Sequence, residues 1–177
     1  MAFRLVTVGI IQALKYEVPR PNAVQRAMWH ISSSRAGSWL FARTLHHVDK
    51  LVLRLSQGKI TMPGLVTGLP VLTITTTGVR TGLRRTTPLV GVPFGDDIAV
   101  IGTHFGQTAT PGWYYNLRAE PNLEVTYHNK SVAAAAREAD DNEWPVIWAQ
   151  ARNIYAGYEI YARRVKDRRI HIMILST

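Results

Sequence analysis

Two stretches of this chain combine residue types that can hold an anion. The first is Thr76-Thr77-Gly78-Val79-Arg80-Thr81-Gly82-Leu83-Arg84-Arg85-Thr86-Thr87-Pro88-Leu89. Its glycines let backbone amides approach a phosphate, its hydroxyls can donate, and its arginines supply charge-assisted, bidentate bonds. A threonine-rich strand with a basic hairpin would carry the same residues without any ligand. The second stretch is Pro111-Gly112-Trp113-Tyr114-Tyr115-Asn116-Leu117-Arg118-Ala119-Glu120-Pro121. A helix opening at Gly112 offers unpaired amides to an anion, and Trp113 offers a flat apolar wall. A packed aromatic turn is the alternative there. Further on, Tyr155, Tyr158 and Tyr161 recur at three-residue steps, which places them near one face of a helix. Half-buried core tyrosines would show the same spacing.

Other chemistries drop out by residue type. The chain has no Cys, which excludes thiolate nucleophiles, disulfides, Cys-ligated zinc and iron–sulfur clusters, so redox chemistry needs a bound cofactor. His30, His46, His47, His104, His128 and His171 are scattered without ligand spacing, and no metal is expected. The adjacent His46 and His47 would project about 100° apart on a helix and cannot share one ion. There is no G-x-S-x-G, H-E-x-x-H, P-loop or G-x-G-x-x-G pattern, no carboxylate pair suited to glycosidase work, and no base-reading motif.

With 177 residues, 46% of them hydrophobic, the chain can bury a core without covalent staples. The net charge of +9 is uneven: residues 1–60 carry +7, residues 61–95 carry +3 and the remainder −1. That asymmetry suits an anionic partner at the N-terminal end, or simply a solvated basic face. The apolar run Leu5–Ile11 is short for a signal peptide and no Ala-x-Ala site follows it. Phe3, Val6, Ile10 and Leu14 form a helical stripe with Arg4 and Lys15 off it. Such a helix suits peripheral contact with an anionic bilayer, or docking on its own domain or on a partner subunit.

Pro19-Arg20-Pro21 breaks the chain before a short helix over Asn22–Ile31. Ser38 caps a further helix that runs to about Gln57, with Gly58 as its stop. From Val71 the period changes to that of strands: Val71–Thr77, Leu83–Phe94, Ile98–Thr103, Leu123–His128, Ser131–Glu138 and Arg169–Ser176. Short helices are expected at Gly112–Arg118, Asn142–Ala151 and Tyr158–Val165. The sum is a mainly β, α+β chain: a helical segment over 1–60, then a small split antiparallel barrel over 61–177.

Taken together, the two anion-binding stretches resemble the deazaflavin-dependent nitroreductase family, split β-barrel oxidoreductases that use coenzyme F420. The match runs through Thr75, Thr76, Thr77, Gly78, Arg80, Thr81, Gly82, Arg85, Pro88 and Leu89, resumes from Pro111 to Pro121, and covers about residues 65–177. By that resemblance Arg80, Arg85 and Thr87 hold the coenzyme's phosphate and acidic tail, with Thr81, Gly82, Thr86 and Pro88 completing the cradle. The Gly112 and Trp113 amides and Asn116 line the deazaflavin and its linker. The loop that often reads Ser-Lys-Gly-Gly in the family is Thr103-His104-Phe105-Gly106 here. It places Thr103 and His104 at the cofactor while changing the shape offered to substrate. Val79 also stands where the family usually has Arg.

The resemblance implies an F420-dependent reductase that passes a hydride to an electrophilic acceptor such as a quinone or nitroaromatic. Thr103, Tyr155, Tyr158 and Tyr161 would attend the acceptor, and FMN fits the basic groove less well than F420. The reading in another class is a non-catalytic protein that holds F420 or a lipophilic ligand at the membrane surface. A nucleic-acid partner rests on charge alone and is not expected. The expected location is the cytoplasm, with peripheral contact on the inner face of the membrane through the N-terminal helix. The oligomeric state, a homodimer included, stays open.

Overall fold

A computed structural model describes residues 8–19, 22, 25, 68–165 and 168–177 of the chain. Six strands, β1 (Val71–Thr77), β2 (Arg84–Phe94), β3 (Asp97–Ile101), β4 (Asn122–Tyr127), β5 (Lys130–Glu138) and β6 (Ile172–Ser176), form a closed barrel. All neighbours are antiparallel, in the order β1-β2-β3-β6-β5-β4, and β4 pairs back onto β1. Closure leaves no unpaired edge strand. Among the described residues the α-helices are α1 (Ile10–Leu14), α2 (Gly112–Ala119), α3 (Glu143–Ile154) and α4 (Gly157–Arg164). Each expected strand and each helix expected beyond Val71 lies within a few residues of an observed element. The helices read over Asn22–Ile31 and Ser38–Gln57, and the boundary at residue 60, lie outside the described residues apart from Asn22 and Gln25.

Two-residue turns make the tight hairpins. Phe94 pairs with Asp97 across Gly95-Asp96, where Gly95 takes the left-handed φ of +58° that such a turn requires. Strand alternation then sorts the side chains. Leu72, Ile74, Ile98, Val100, Val125, Met173 and Leu175 fill the barrel, whereas Val71, Ala99, Ile101, Ile172 and Ile174 face outward beneath α3 and α4.

One end of the barrel is plugged by α1. Ile10 and Leu14 are almost wholly buried in the same cluster as Ile98 and Leu175. This half of the apolar stripe therefore docks on its own domain, one of the readings open for it, because burying two large aliphatic side chains there removes them from water. Phe3 and Val6, the other half, lie outside the described residues. The Tyr16 ring packs on Tyr127 at 4.6 Å, and its hydroxyl sits 2.8 Å from both the Pro70 and Gly91 carbonyls. Burial raises the Tyr16 phenol well above its usual range, so it stays a donor. A Cβ on Gly91 would stand 2.4 Å from the Tyr16 hydroxyl oxygen and 2.9 Å from Leu72. Gly91→Ala should thus cost about 2–4 kcal/mol through overpacking and loss of that buried hydrogen bond, read as a lower urea midpoint.

The start of α3 is set by a reciprocal pair. Asp140 Oδ1 accepts the Glu143 amide at 2.8 Å, while Glu143 accepts the Asp140 amide at 3.0 Å. Arg137 donates to both Glu143 carboxylate oxygens, at 2.7 and 2.6 Å. These bonds, the arginine's first, pull the Glu143 carboxyl down to about 2. A folded-state value below the unfolded one stabilises the fold above the ordinary carboxylate range, and that support is lost as pH falls toward about 2. Glu143→Gln should therefore flatten the acid limb of thermal stability between about pH 4.5 and 2, measured by melting across that range.

Candidate functional site

The chain's short β1–β2 turn, the first turn of α2 and the tyrosine-bearing end of α3 and α4 converge on one cavity of about 1390 Å³. Its charged end belongs to the β1–β2 turn. Gly78 accepts the Thr81 and Gly82 amides at 3.1 and 2.7 Å, and Gly82 takes a φ of +67°, which glycine adopts without a Cβ penalty. Alternation along β2 sends Arg85 and Thr87 toward the cavity. Arg84 turns the other way and is paired with Glu124. The Thr86 hydroxyl faces Thr75 at 3.3 Å. Arg85 keeps only a 3.4 Å contact with the Thr81 hydroxyl, and Arg80 has no ion pair among the described residues.

The α2 helix supplies the next wall. Pro111 precedes Gly112 with no side-chain cap and no acidic residue in the first turn, so the leading amides point outward unneutralised. A Cβ built on Gly112 meets nothing within 4 Å. Trp113 is buried beside it and lines the cavity.

Asn116 also borders the cavity, but its amide is committed elsewhere. Its Nδ2 donates to the Thr76 hydroxyl at 3.0 Å, and its Oδ1 accepts the Val79 amide at 3.1 Å. It clamps α2 to the β1–β2 turn. The role of lining residue implied by resemblance is thereby joined to a structural one.

Opposite the arginines lie the tyrosines. Tyr155 ends α3, while Tyr158 and Tyr161 sit on α4, so a break between two helices carries the spacing that a single helix was expected to carry. All three are buried and line the cavity. The Tyr155 and Tyr161 hydroxyls are 3.2 Å apart. Burial, then the neighbouring Tyr155, push the Tyr158 phenol far above its usual range.

The loop after β3 closes this end. Thr103 is buried, and His104, Phe105 and Gly106 run through three successive left-handed residues at φ +50°, +55° and +78°. Two of them are not glycine, a costly arrangement that persists only where the surroundings hold it. Arg168 does so, donating to the carbonyls of Gly102, Thr103 and Gln107 at 3.0, 3.1 and 3.2 Å. Phe105 packs edge-on against Tyr161, with ring centroids 6.1 Å apart.

Of the residues expected at the cofactor and acceptor, Arg80, Thr81, Arg85, Thr87, Pro88, Thr103, His104, Gly112, Trp113, Asn116, Tyr155, Tyr158 and Tyr161 line this one cavity. Gly82 and Thr86 do not. Gly82 shapes the turn, and Thr86 sets its hydroxyl against Thr75. One group was not anticipated: Tyr114 donates to Glu138 at 3.1 Å and receives a bond from Arg118 at 3.0 Å. His171 Nδ1 lies 2.6 Å from the same carboxylate, and its ring stacks on Tyr114 at 4.0 Å. Burial raises the Glu138 carboxyl, but bonds from His171 and Tyr114 outweigh it and leave it below its usual range. Members this far apart in sequence leave no spacing signal.

A family model described as F420H(2)-dependent quinone reductase matches residues 47–177. The chain belongs to that family. An F420H(2)-dependent quinone reductase of Mycobacterium tuberculosis is 29% identical over 96 residues, which is 51% of this chain and 64% of that protein. The chain thus spans a little under two thirds of this curated relative. Among solved structures, an F420-H2 dependent reductase, FDR-A, is 31% identical with a TM-score of 0.55, covering 60% of this chain and 93% of its own. A domain-swapped dimer is 28% identical with a TM-score of 0.57, covering 73% and 97%. The split-barrel fold expected of this quinone reductase family member is the fold observed.

Proposed function

We propose that this family member is an oxidoreductase that binds reduced coenzyme F420 and reduces a quinone. Its cavity carries the reading: no carboxylate appears among the described lining residues, unneutralised cations stand at one end, and buried tyrosines at the other. F420 has a phosphodiester and several glutamates. Arg80 and Arg85 suit that acidic tail, and the uncapped amides of α2 suit an anion or a polarised carbonyl. The open space over Gly112, with Trp113 beside it, suits a flat ring system. The residues therefore fit the coenzyme, which when bound supplies the hydride.

The chain's own groups bind, orient and exclude water. Thr103, Phe105 and the three tyrosines form a largely apolar chamber for a planar acceptor, which fits a quinone and also a nitroaromatic. Titration with F420 and with FMN, followed by cofactor fluorescence, tests the reading. F420 should bind at least about tenfold tighter, about 1.4 kcal/mol, and equal binding of FMN would overturn it. Turnover of reduced F420 with menadione separates an enzyme from a protein that only binds the coenzyme.

The tyrosines should act on the acceptor rather than on the anchor. Tyr158→Phe should leave F420 affinity within about twofold while lowering turnover with menadione. Paired affinity and rate measurements check this. A loss of affinity with unchanged saturated turnover would place Tyr158 on the coenzyme instead.

A further inference from the structure

We propose that His104 is the proton donor to the acceptor, an assignment that rests on the quinone reductase reading above. His104 Nδ1 lies 2.9 Å from the Ala109 carbonyl oxygen. A carbonyl only accepts, so Nδ1 carries hydrogen in both charge states of the ring. The proton that the imidazole exchanges is therefore the one on Nε2, which has no hydrogen-bond partner among the described residues while the ring lines the cavity.

Thr103 and the three tyrosines opposite the arginines are poorer candidates. Burial holds the Tyr158 phenol in its protonated form, and the Tyr155 and Tyr161 hydroxyls lie against each other. Thr103 has a hydroxyl that binds but does not release a proton in the ordinary range. No carboxylate is among the described lining residues, and His104 is the one imidazole there. Imidazole is the side chain whose charge changes between about pH 5 and 8.

The strained backbone supports the same assignment. Left-handed residues at 104 to 106 hold the imidazole at the cavity wall, and Arg168 ties both ends of the loop in place. Among the described residues, the charged and titratable groups around the loop include Tyr161 and Arg164 from α4, which face Phe105 and Gly106, and Arg168 ahead of β6 with Tyr115 near it.

The step balances. A quinone gains two electrons and one hydrogen as a hydride from reduced F420, and its oxygen forms an O–H bond as the Nε2–H bond of His104 breaks. Hydroquinone leaves, a proton from water restores Nε2–H, and the one proton the coenzyme loses besides its hydride goes to water.

His104→Asn is the informative variant, since Asn tolerates a left-handed φ and its amide can still reach the Ala109 carbonyl. Its turnover with reduced F420 and menadione should fall about thirty- to a thousandfold, with the imidazole limb of the pH profile gone and F420 affinity within about twofold. A second readout needs no turnover. In nitrogen NMR of the wild-type protein with oxidised F420, adding menadione should move the His104 Nε2 resonance and leave Nδ1 in its protonated form. An active wild type with an equally active H104N and the same pH profile, or an unmoved Nε2, overturns this inference alone. A wild type that neither binds F420 nor reduces menadione overturns the functional reading, and this inference with it.

Discussion

Arg85→Ala should weaken F420 binding about ten- to a hundredfold and leave turnover at saturating coenzyme nearly unchanged. Arg85 projects into the cavity beside Thr81 and Thr87 without an ion pair among the described residues. Its guanidinium is therefore available for a charge-assisted contact, worth roughly 1.5–3 kcal/mol, which converts to that range of affinity. Binding energy spent equally on ground and transition states does not lower the chemical barrier, so kcat should hold. The salt dependence of binding should also become shallower, because one screened charge pair is gone. Arg84→Ala is the internal control: its side chain is turned toward Glu124 on β4 and exposed, and its removal should change affinity by less than about threefold. Fluorescence titration of both variants at two salt concentrations decides the matter. Equal losses in the two would mean that general charge, and not the geometry of β2, attracts the coenzyme.

A combined effect on stability and on coenzyme affinity is expected at Asn116. Asn116→Leu keeps the branched shape, with larger end groups, but removes the bonds to the Val79 amide and the Thr76 hydroxyl at 3.1 and 3.0 Å. The bond to Thr76 is buried and the one to Val79 part-buried, while Thr76 keeps the Arg85 carbonyl at 3.4 Å, so the loss should be about 1–3 kcal/mol. The turn between β1 and β2 is held to α2 by this side chain, so F420 affinity should fall as well, although Arg80 and Arg85 are intact. Denaturant unfolding and coenzyme titration on the same variant measure both. A stable N116L with reduced affinity would make Asn116 a ligand contact and nothing more. An N116L that loses stability and keeps affinity would detach the turn from the site.

Much of the barrel was legible because strand signals are local. The Thr/Val/Ile alternation of Val71–Thr77 and the Gly95-Asp96 turn depend on neighbours one or two residues away, and both appear where expected. The two glycine- and proline-bounded stretches likewise named most of the cavity's charged and aromatic walls. The N-terminal stripe was the harder case. An apolar stripe specifies burial but not against what, and for Ile10 and Leu14 the partner is the barrel interior.

What the sequence by itself determined is chemistry by type and by short spacing. It supplied arginines and hydroxyls suited to an anionic tail, a helix start without a cap, tyrosines at three-residue steps, and no thiol or clustered metal ligands. The tertiary structure alone decided which of those groups act together. Arg85 and Thr87 line the cavity while Arg84 meets Glu124 and Thr86 meets Thr75, partners that depend on register across β1 and β4. Packing of α2 on the β1–β2 turn made Asn116 a clamp as well as a lining residue. Glu138 and His171 met Tyr114 only through the folding of β5 and β6. The left-handed run at His104 has no sequence mark, because its cost is offset by Arg168, which lies 65 residues beyond Thr103 in the chain. Contacts between residues distant in sequence arise from closing the barrel, and no local pattern encodes them.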